Sequence, residues 1–110
     1  MRYAVYFTWA SDGKADSFNC PNAEYRDFNI SNMIKSGYYS SIAYCPIYAS
    51  GEYGKRTIVM DKPFTLTYWL PMQSRLFSAP TVVQTYSREE HERRIKVAEQ
   101  NGYELVKEVE

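Results

Sequence analysis

The chain opens with Arg2-Tyr-Ala-Val-Tyr-Phe-Thr-Trp9, and turn chemistry follows it as Ser11-Asp-Gly-Lys14. Large apolar side chains occupy every second position of the first stretch, which is the period of a β-strand. Asp-Gly is a preferred pair in two-residue hairpin turns. With that pair as the loop, Phe7 faces Phe18, and Cys20 lies on the same apolar face. The sequence therefore predicts an N-terminal β-hairpin that carries Cys20 into the core.

A first helix follows the hairpin. It begins after Asn22, whose side chain can cap it, and it ends at Gly37. Its apolar residues fall on one helical stripe, Ala23, Ile30, Met33 and Ile34. Tyr25 and Phe28 lie off that stripe. We expect both rings to pack on a neighbouring strand, the alternative being exposed rings with a function.

A second helix starts at a capping box, Ser87-Arg-Glu-Glu90. It is predicted to run to about Asn101, with Gly102 directly after it. Its buried stripe is narrow and consists of His91, Ile95 and Ala98. Most of this helix is therefore expected to face solvent or a partner.

Alternating and β-branched runs indicate five further strands, at Ile42–Tyr48, Arg56–Met60, Phe64–Leu70, Thr81–Tyr86 and Tyr103–Val109. Pro46 predicts that the first of these is an edge strand or carries a bulge. Residues 71–80 have no regular period and are predicted to form a long loop. The order ββ-α-ββ-β-β-α-β predicts an α+β fold with a mostly antiparallel sheet, in a single domain over residues 1–110.

Charge and composition limit the classes of protein to which this chain can belong. The 110 residues carry 13 Lys and Arg against 13 Asp and Glu, so no long-range field draws the chain to nucleic acid or anionic lipid. The apolar runs fall far short of the roughly 20 residues of a membrane helix, and no signal-peptide pattern is present. Cys20 and Cys45 are expected to be free thiols. We therefore expect a cytoplasmic protein that makes no contact with membranes.

The sequence holds no strong catalytic, metal or cofactor motif. Either Cys20 or Cys45 could pair with His91 as a nucleophile and base, but the hairpin register directs Cys20 into the core. One histidine and two cysteines lack the spacing of a zinc site. Gly51 and Gly54 are not followed by the Lys-Ser or Lys-Thr of a phosphate-binding loop. We expect a protein that is not an enzyme and uses no cofactor or metal.

Three segments resemble small accessory proteins of phages and prophages of Gram-positive bacteria: Arg2–Trp9 with its Asp-Gly turn, Asn22-Ala-Glu24, and Ile47-Tyr-Ala-Ser-Gly-Glu-Tyr-Gly54. The similarity covers about the first 60 residues. It implies an accessory or host-takeover role, including inhibition of host defence enzymes by occluding a surface rather than by catalysis. The resemblance transfers no functional residue.

Tyrosine is unusually frequent, with 11 residues. Tyrosine, tryptophan and arginine are common hot spots of protein interfaces, and tyrosine rings also stack on the bases of single-stranded nucleic acid. Because the net charge is zero, we expect a host protein as the partner. Single-stranded nucleic-acid binding is the alternative.

Two irregular segments, 48–55 and 72–77, contain rings and an arginine that regular structure does not need. We predict that they bind the partner through Tyr48, Tyr53, Arg75, Leu76 and Phe77. For Leu76 and Phe77 the alternative is a lid folded back on the sheet. A monomer is expected in preference to a homodimer, since the final strand carries charges that edge strands use to avoid pairing, Lys107, Glu108 and Glu110.

Overall fold

The architecture follows the predicted order of elements. A computed structural model describes residues 1–106, and these residues form seven strands and two helices in the order ββ-α-ββ-β-β-α-β. The elements are β1 (Arg2–Trp9), β2 (Ala15–Cys20), α1 (Ala23–Ser36), β3 (Tyr39–Ile47), β4 (Thr57–Asp61), β5 (Phe64–Trp69), β6 (Thr81–Thr85), α2 (Arg88–Gln100) and β7 (Glu104–Leu105). The described strand pairs are antiparallel and form two sheets. The predicted α+β fold with an N-terminal hairpin is confirmed.

The first sheet has the strand order β2-β1-β3-β4, and α1 packs on one of its faces. Asn22 caps the helix by accepting a bond from the backbone N–H of Tyr25 at 2.8 Å, and Gly37 ends it with φ 70°. Both ends of the helix therefore lie where the sequence predicts them. The core beneath the helix consists of buried side chains from the helix and three strands, Val5, Cys20, Ile30, Met33 and Ile42.

Tyr25 and Phe28 do not pack on a strand. They are 50% and 67% exposed, so the prediction for these two rings is wrong. The helix meets the sheet through Ile30 and Met33. With 3.6 residues per turn, Tyr25 and Phe28 project away from that stripe, and at least half of each side chain remains in solvent.

The register of the hairpin differs by two residues from the predicted one. Phe7 faces Asp16, and Val5 faces Phe18. Because side chains alternate with a period of two, a shift of two residues leaves every side chain on its predicted face. Cys20 is accordingly buried, as the sequence predicted.

A four-residue loop causes this shift. The backbone N–H of Trp9 donates to the Lys14 carbonyl at 2.9 Å, so the loop is formed by the residues between them. Ala10 is buried in this loop, and its N–H donates to the Tyr38 carbonyl at 2.8 Å. A tertiary contact thus holds Ala10 outside the hairpin ladder, and the Asp-Gly pair is only part of the turn.

Pro46 lies in an internal strand rather than at an edge, because β3 pairs with both β1 and β4. The pairing with β4 ends where Tyr44 faces Thr57, and it carries a register irregularity before that point. The Pro46 carbonyl accepts a bond from the Gly54 N–H at 2.8 Å on the same side. The proline nitrogen therefore points past the end of β4, where no ladder bond is required.

The second sheet has the order β6-β5-β7, with α2 on one face. The helix turns its predicted stripe inward: Ala98 is buried, and His91 and Ile95 are half-buried. The final strand pairs with β5 inside the chain, where Leu105 faces Tyr68. The predicted continuation of this strand over residues 107–109 lies outside the described residues.

The two sheets join end to end through the β1–β2 turn. The backbone N–H groups of Arg88 and Glu89 donate to the carbonyls of Ala10 and Ser11 at 2.6 and 3.0 Å. Both donors belong to the first turn of α2, whose backbone N–H groups have no acceptors inside the helix. The turn of the first sheet thus completes the start of the second helix.

The molecule is elongated, with principal extents of 58 × 27 × 23 Å. β3 begins at the junction, where the buried Ser40 hydroxyl donates to the Tyr86 carbonyl at 2.9 Å, and it runs away from there to Ile47. β5 begins close to the junction and runs in the other direction. The loops that follow β3 and β5 therefore lie at opposite ends of the long axis.

Candidate protein interface

The loop after β5, residues 70–80, is called the tip loop here, and it places three large apolar side chains in solvent. Leu76 is 88% exposed, Phe77 is 91% exposed, and Met72 is fully exposed. The alternative in which Leu76 and Phe77 fold back on the sheet as a lid does not occur. Large apolar side chains gain nothing from contact with water, which is a reason to look for a partner that covers them.

Gln73 holds the tip loop together. Its side-chain oxygen accepts a bond from the Leu70 N–H at 3.0 Å. Its side-chain nitrogen donates to the Ser78 hydroxyl at 3.1 Å and to the Ala79 carbonyl at 2.8 Å. One amide side chain therefore ties both ends of the loop, and the apolar residues between them are presented on an organised backbone.

Arg75 joins the tip loop to the second sheet. Its guanidinium forms an ion pair with the Glu104 carboxylate, and it lies 5.2 Å from the centre of the Trp69 ring. An exposed ion pair of this kind contributes only about 0–1 kcal/mol to stability. Arg75 therefore sets the position of the loop on β5 and β7 more than it stabilises the fold.

Met72 has a backbone conformation that favours glycine. The Gln73 N–H donates to the Leu70 carbonyl at 3.2 Å, and Met72 within this turn has φ 63°. Pro71 in the second position and a positive φ in the third are features of a type II turn, which usually has glycine there. A non-glycine residue in this region costs about 1–3 kcal/mol, and such strain clusters at functional sites. Met72 lies within the predicted binding segment 72–77 but is not among the five residues predicted to bind the partner; the turn sequence Leu70-Pro-Met-Gln73 is the signal that could have identified it.

The loop after β3, residues 48–55, is called the far loop. Tyr48 closes it through a bond from its N–H to the Glu52 carbonyl at 2.9 Å. Its hydroxyl packs against Gly54, where an added Cβ would lie 2.7 Å from that oxygen. Tyr53 is 60% exposed and has no such role for its ring. Of the two predicted tyrosines, Tyr48 is engaged by its own loop and Tyr53 is free to meet a partner.

The five predicted binding residues do not form one surface. Arg75, Leu76 and Phe77 lie at the tip loop, while Tyr48 and Tyr53 lie at the far loop, beyond the opposite end of the first sheet. A partner that touched both loops would have to span most of the 58 Å length. The tip loop and the far loop are therefore separate candidate surfaces.

Many of the arginines are engaged inside the chain. Their guanidinium groups lie over rings or beside a carboxylate, as Arg26 over Tyr3 and Tyr44, Arg56 over Tyr6, Arg88 over Phe64, and Arg93 and Arg94 beside Glu90. A nucleic-acid backbone would have to compete with these contacts for the positive charges.

The cysteines and the histidine are not brought together. Cys20 lies under α1, Cys45 lies on the opposite face of the first sheet with its Sγ 3.8 Å from the Tyr6 hydroxyl, and His91 stacks on Phe64 in the second sheet. Burial raises the pKa of the Cys20 thiol, although nearby Arg26 acts against this. That direction is opposite to the one that activates a thiolate. Within residues 1–106, no three His, Cys, Asp or Glu side chains cluster as metal ligands would.

Comparison with protein-family models, with curated proteins and with solved structures found no match to this chain. In the part of the chain that the structure describes, neither helix combines the length and the apolar character that a membrane crossing requires. The function therefore has to be inferred from the geometry of its surfaces.

Proposed function

We propose that this protein is a non-enzymatic interaction module that binds a partner protein by inserting Leu76 and Phe77 of the tip loop into an apolar pocket. The observation that carries the proposal is the 88% and 91% exposure of these neighbouring side chains. They stand on a loop that Gln73 fixes by three hydrogen bonds.

The energetics favour the tip loop over the other exposed rings. Removing a leucine or phenylalanine side chain from water stabilises a complex by about 1.5–3 kcal/mol each. Because the loop is already organised, less conformational entropy is lost on binding. Met72 adds a third exposed apolar side chain in the same loop. Phenylalanine and methionine are among the residues that are enriched at the core of protein interfaces.

We further propose that the partner is a host enzyme and that the tip loop inhibits it by occluding its surface, as the resemblance to phage accessory proteins implies. The cytoplasm is the compartment we propose, because Cys20 and Cys45 are both free thiols. The burial of both cysteines supports a role without thiol catalysis.

Binding of single-stranded nucleic acid, the alternative, has less support. Exposed rings are available for stacking at Tyr25, Phe28 and Tyr38. The net charge is +0, and many of the arginines are held against rings or carboxylates of the chain. Fluorescence anisotropy with a labelled oligonucleotide at two salt concentrations tests this alternative. Binding that weakens steeply with salt would favour it.

The proposal is tested by capture from a lysate of a Gram-positive host, with the full chain as bait. Leu76→Ser with Phe77→Ser removes the apolar tip. Tyr25→Ser with Phe28→Ser is the matched control, since it removes two exposed rings from α1. We expect one host protein to be retained by the wild type and the control and to bind the tip variant at least about tenfold more weakly. Equal capture by the tip variant would contradict the proposal.

A further inference from the structure

β6 is an edge strand without the devices that keep edge strands from pairing. Its sequence, Thr81-Val-Val-Gln-Thr85, contains no charge and no proline, and its pairing with β5 shows no irregularity. The other edge strands of the two sheets differ: β2 carries Asp16, β4 carries Asp61 and pairs irregularly, and β7 carries Glu104. Exposed edges with neutral, β-branched residues are the ones that accept another strand.

The hydrogen bonds between β5 and β7 determine which backbone groups of β6 face its open side. The Val106 N–H donates to the Thr67 carbonyl at 2.9 Å, so the backbone of Thr67 points towards β7. Backbone direction alternates along a strand, so Leu66 and Tyr68 point towards β6 and bond with their partners Val83 and Thr81.

The next residues of β6 therefore point the other way. Val82 and Gln84 direct their N–H and C=O groups to the open side, where they have no partner among residues 1–106. Both side chains are exposed. The open edge thus offers two donors and two acceptors in the spacing of an antiparallel ladder.

A second copy of the same strand fits this edge. In an antiparallel pair centred on Val83, Val82 faces Gln84 of the partner subunit, and Thr81 faces Thr85 of the partner subunit. Each facing Val82 and Gln84 exchange two backbone hydrogen bonds, which gives four in the symmetric pair. The paired strands bring no like charges together, since Thr81–Thr85 is uncharged, and the facing threonines are a favourable cross-strand pair.

The surroundings of β6 leave room for that copy. A groove of about 320 Å³ opens between α2 and the sheet beside Val83, with apolar side chains from Leu66, Val97 and Ala98. Val83 lies at the centre of the symmetric pair, so the grooves of the two copies become neighbours. A second cleft of about 500 Å³ lies beside Gln84 and is bounded by Gly13, at the side on which the end of an incoming strand would lie.

In place of the monomer expected from the charges of the final strand, we propose that the protein forms a two-fold symmetric homodimer in which β6 pairs with β6 of the partner subunit and the two three-stranded sheets become one sheet of six strands. The assembly closes at two copies because β6 is the one neutral, regular edge among those that residues 1–106 form, and the charged or irregular edges do not extend it. The residues that pair across this interface, Thr81–Thr85, include none of the tip-loop residues.

The test uses the full chain and charge variants on the open edge. Val82→Lys with Gln84→Lys places each new lysine opposite a lysine of the partner subunit. Val82→Glu with Gln84→Glu does the same with carboxylates. In sedimentation velocity we expect twice the monomer mass for the wild type and the monomer mass for each variant alone. Mixing the two variants in equal amounts is expected to restore the dimer mass, because lysine then faces glutamate.

Thr65→Lys with Thr67→Lys is the matched control, since it adds the same charge to the same face on the neighbouring strand β5. Its lysines lie beyond about one Debye length from those of the partner subunit, so the dimer is expected to persist. Circular dichroism verifies that each variant is folded. A monomeric wild type, a lysine variant that stays dimeric, or a mixture that stays monomeric would overturn the proposal.

Discussion

Gly13 lies so close to Ser87 that a Cβ on Gly13 would be 2.9 Å from the Ser87 Cβ. This contact joins the turn of the first sheet to the residue that caps α2. Gly13 also has φ +75°, which is unfavourable for other residues. Gly13→Ala therefore meets a steric conflict and a backbone cost together. We expect it to lower the free energy of unfolding by about 2–4 kcal/mol in urea denaturation.

Gly102→Ala is the control for that substitution. Gly102 has the same φ of +75°, but no atom lies within 4 Å of an added Cβ. Its substitution carries the backbone cost alone, about 1–2 kcal/mol. Equal losses for the two variants would show that the contact between the turn and α2 contributes nothing.

Ser87 and Asn22 cap the two helices and provide a second prediction. Ser87 accepts a bond from the Glu90 N–H at 3.2 Å, and its hydroxyl also lies 3.3 Å from the Ser11 carbonyl as a donor. Asn22 caps α1 without a contact to the other sheet. Ser87→Ala is expected to cost about 1–2 kcal/mol, and Asn22→Ala about 1 kcal/mol or less. Thermal unfolding of both variants measures the difference, and the reverse ranking would contradict it.

Features set by neighbouring residues were predictable from the sequence, and features set by distant contacts were not. The cap at Asn22 and the stop at Gly37 depend on local chemistry, and both were predicted correctly. The hairpin register depends on Ala10, which bonds to Tyr38 far along the chain. Nothing in the alternating pattern distinguishes registers that differ by two residues.

For the candidate surfaces too, local features were predictable from the sequence and the arrangement in space was not. Composition identified Leu76 and Phe77 as unusual loop residues, and both are exposed. Their separation from Tyr53 follows from the end-to-end arrangement of two sheets, which no motif in the sequence encodes. Phe28 was expected to pack on a strand although it lies off the apolar stripe of α1, because the sequence does not show which strands lie beside the helix, and it is exposed.

The thiols are expected to resist modification in the native protein. Cys20 and Cys45 are each 1% exposed, and burial raises the pKa of the Cys20 thiol. Reaction requires local opening, so both thiols should react with an aromatic disulfide reagent at least about a hundredfold more slowly than in urea. The variants Cys20→Ala and Cys45→Ala assign the two rates. A thiol that reacts at the unfolded rate would contradict its burial.

The Tyr86 hydroxyl is expected to lose its proton at a higher pH than an ordinary tyrosine, because its pKa is raised. Its hydroxyl donates to a carboxylate oxygen of Asp61 at 2.6 Å, and this bond raises the pKa of the phenol above its ordinary value. The folded protein therefore holds this proton more tightly than the unfolded chain, so its contribution to stability is present below about pH 10 and is lost as the pH rises through the raised pKa. Asp61→Asn should lower the pKa of Tyr86, as followed by tyrosinate absorbance. Tyr86→Phe removes the signal, and an unchanged titration in Asp61→Asn would show that the carboxylate has no effect.

Tyr53 and Phe77 distinguish a partner that binds at one end from a partner that spans the molecule. Both side chains are exposed, at 60% and 91%, so alanine at either position should change the melting temperature little. For a partner bound at the tip loop, Phe77→Ala weakens binding by about 1–3 kcal/mol, and Tyr53→Ala leaves the dissociation constant unchanged. Isothermal titration with the captured partner measures both. If Tyr53→Ala also weakens binding, the partner reaches the far loop as well, and because the two loops are far apart the losses should add in the double variant. Normal binding by Phe77→Ala together with a loss in Tyr53→Ala would move the binding surface from the tip loop to the far loop.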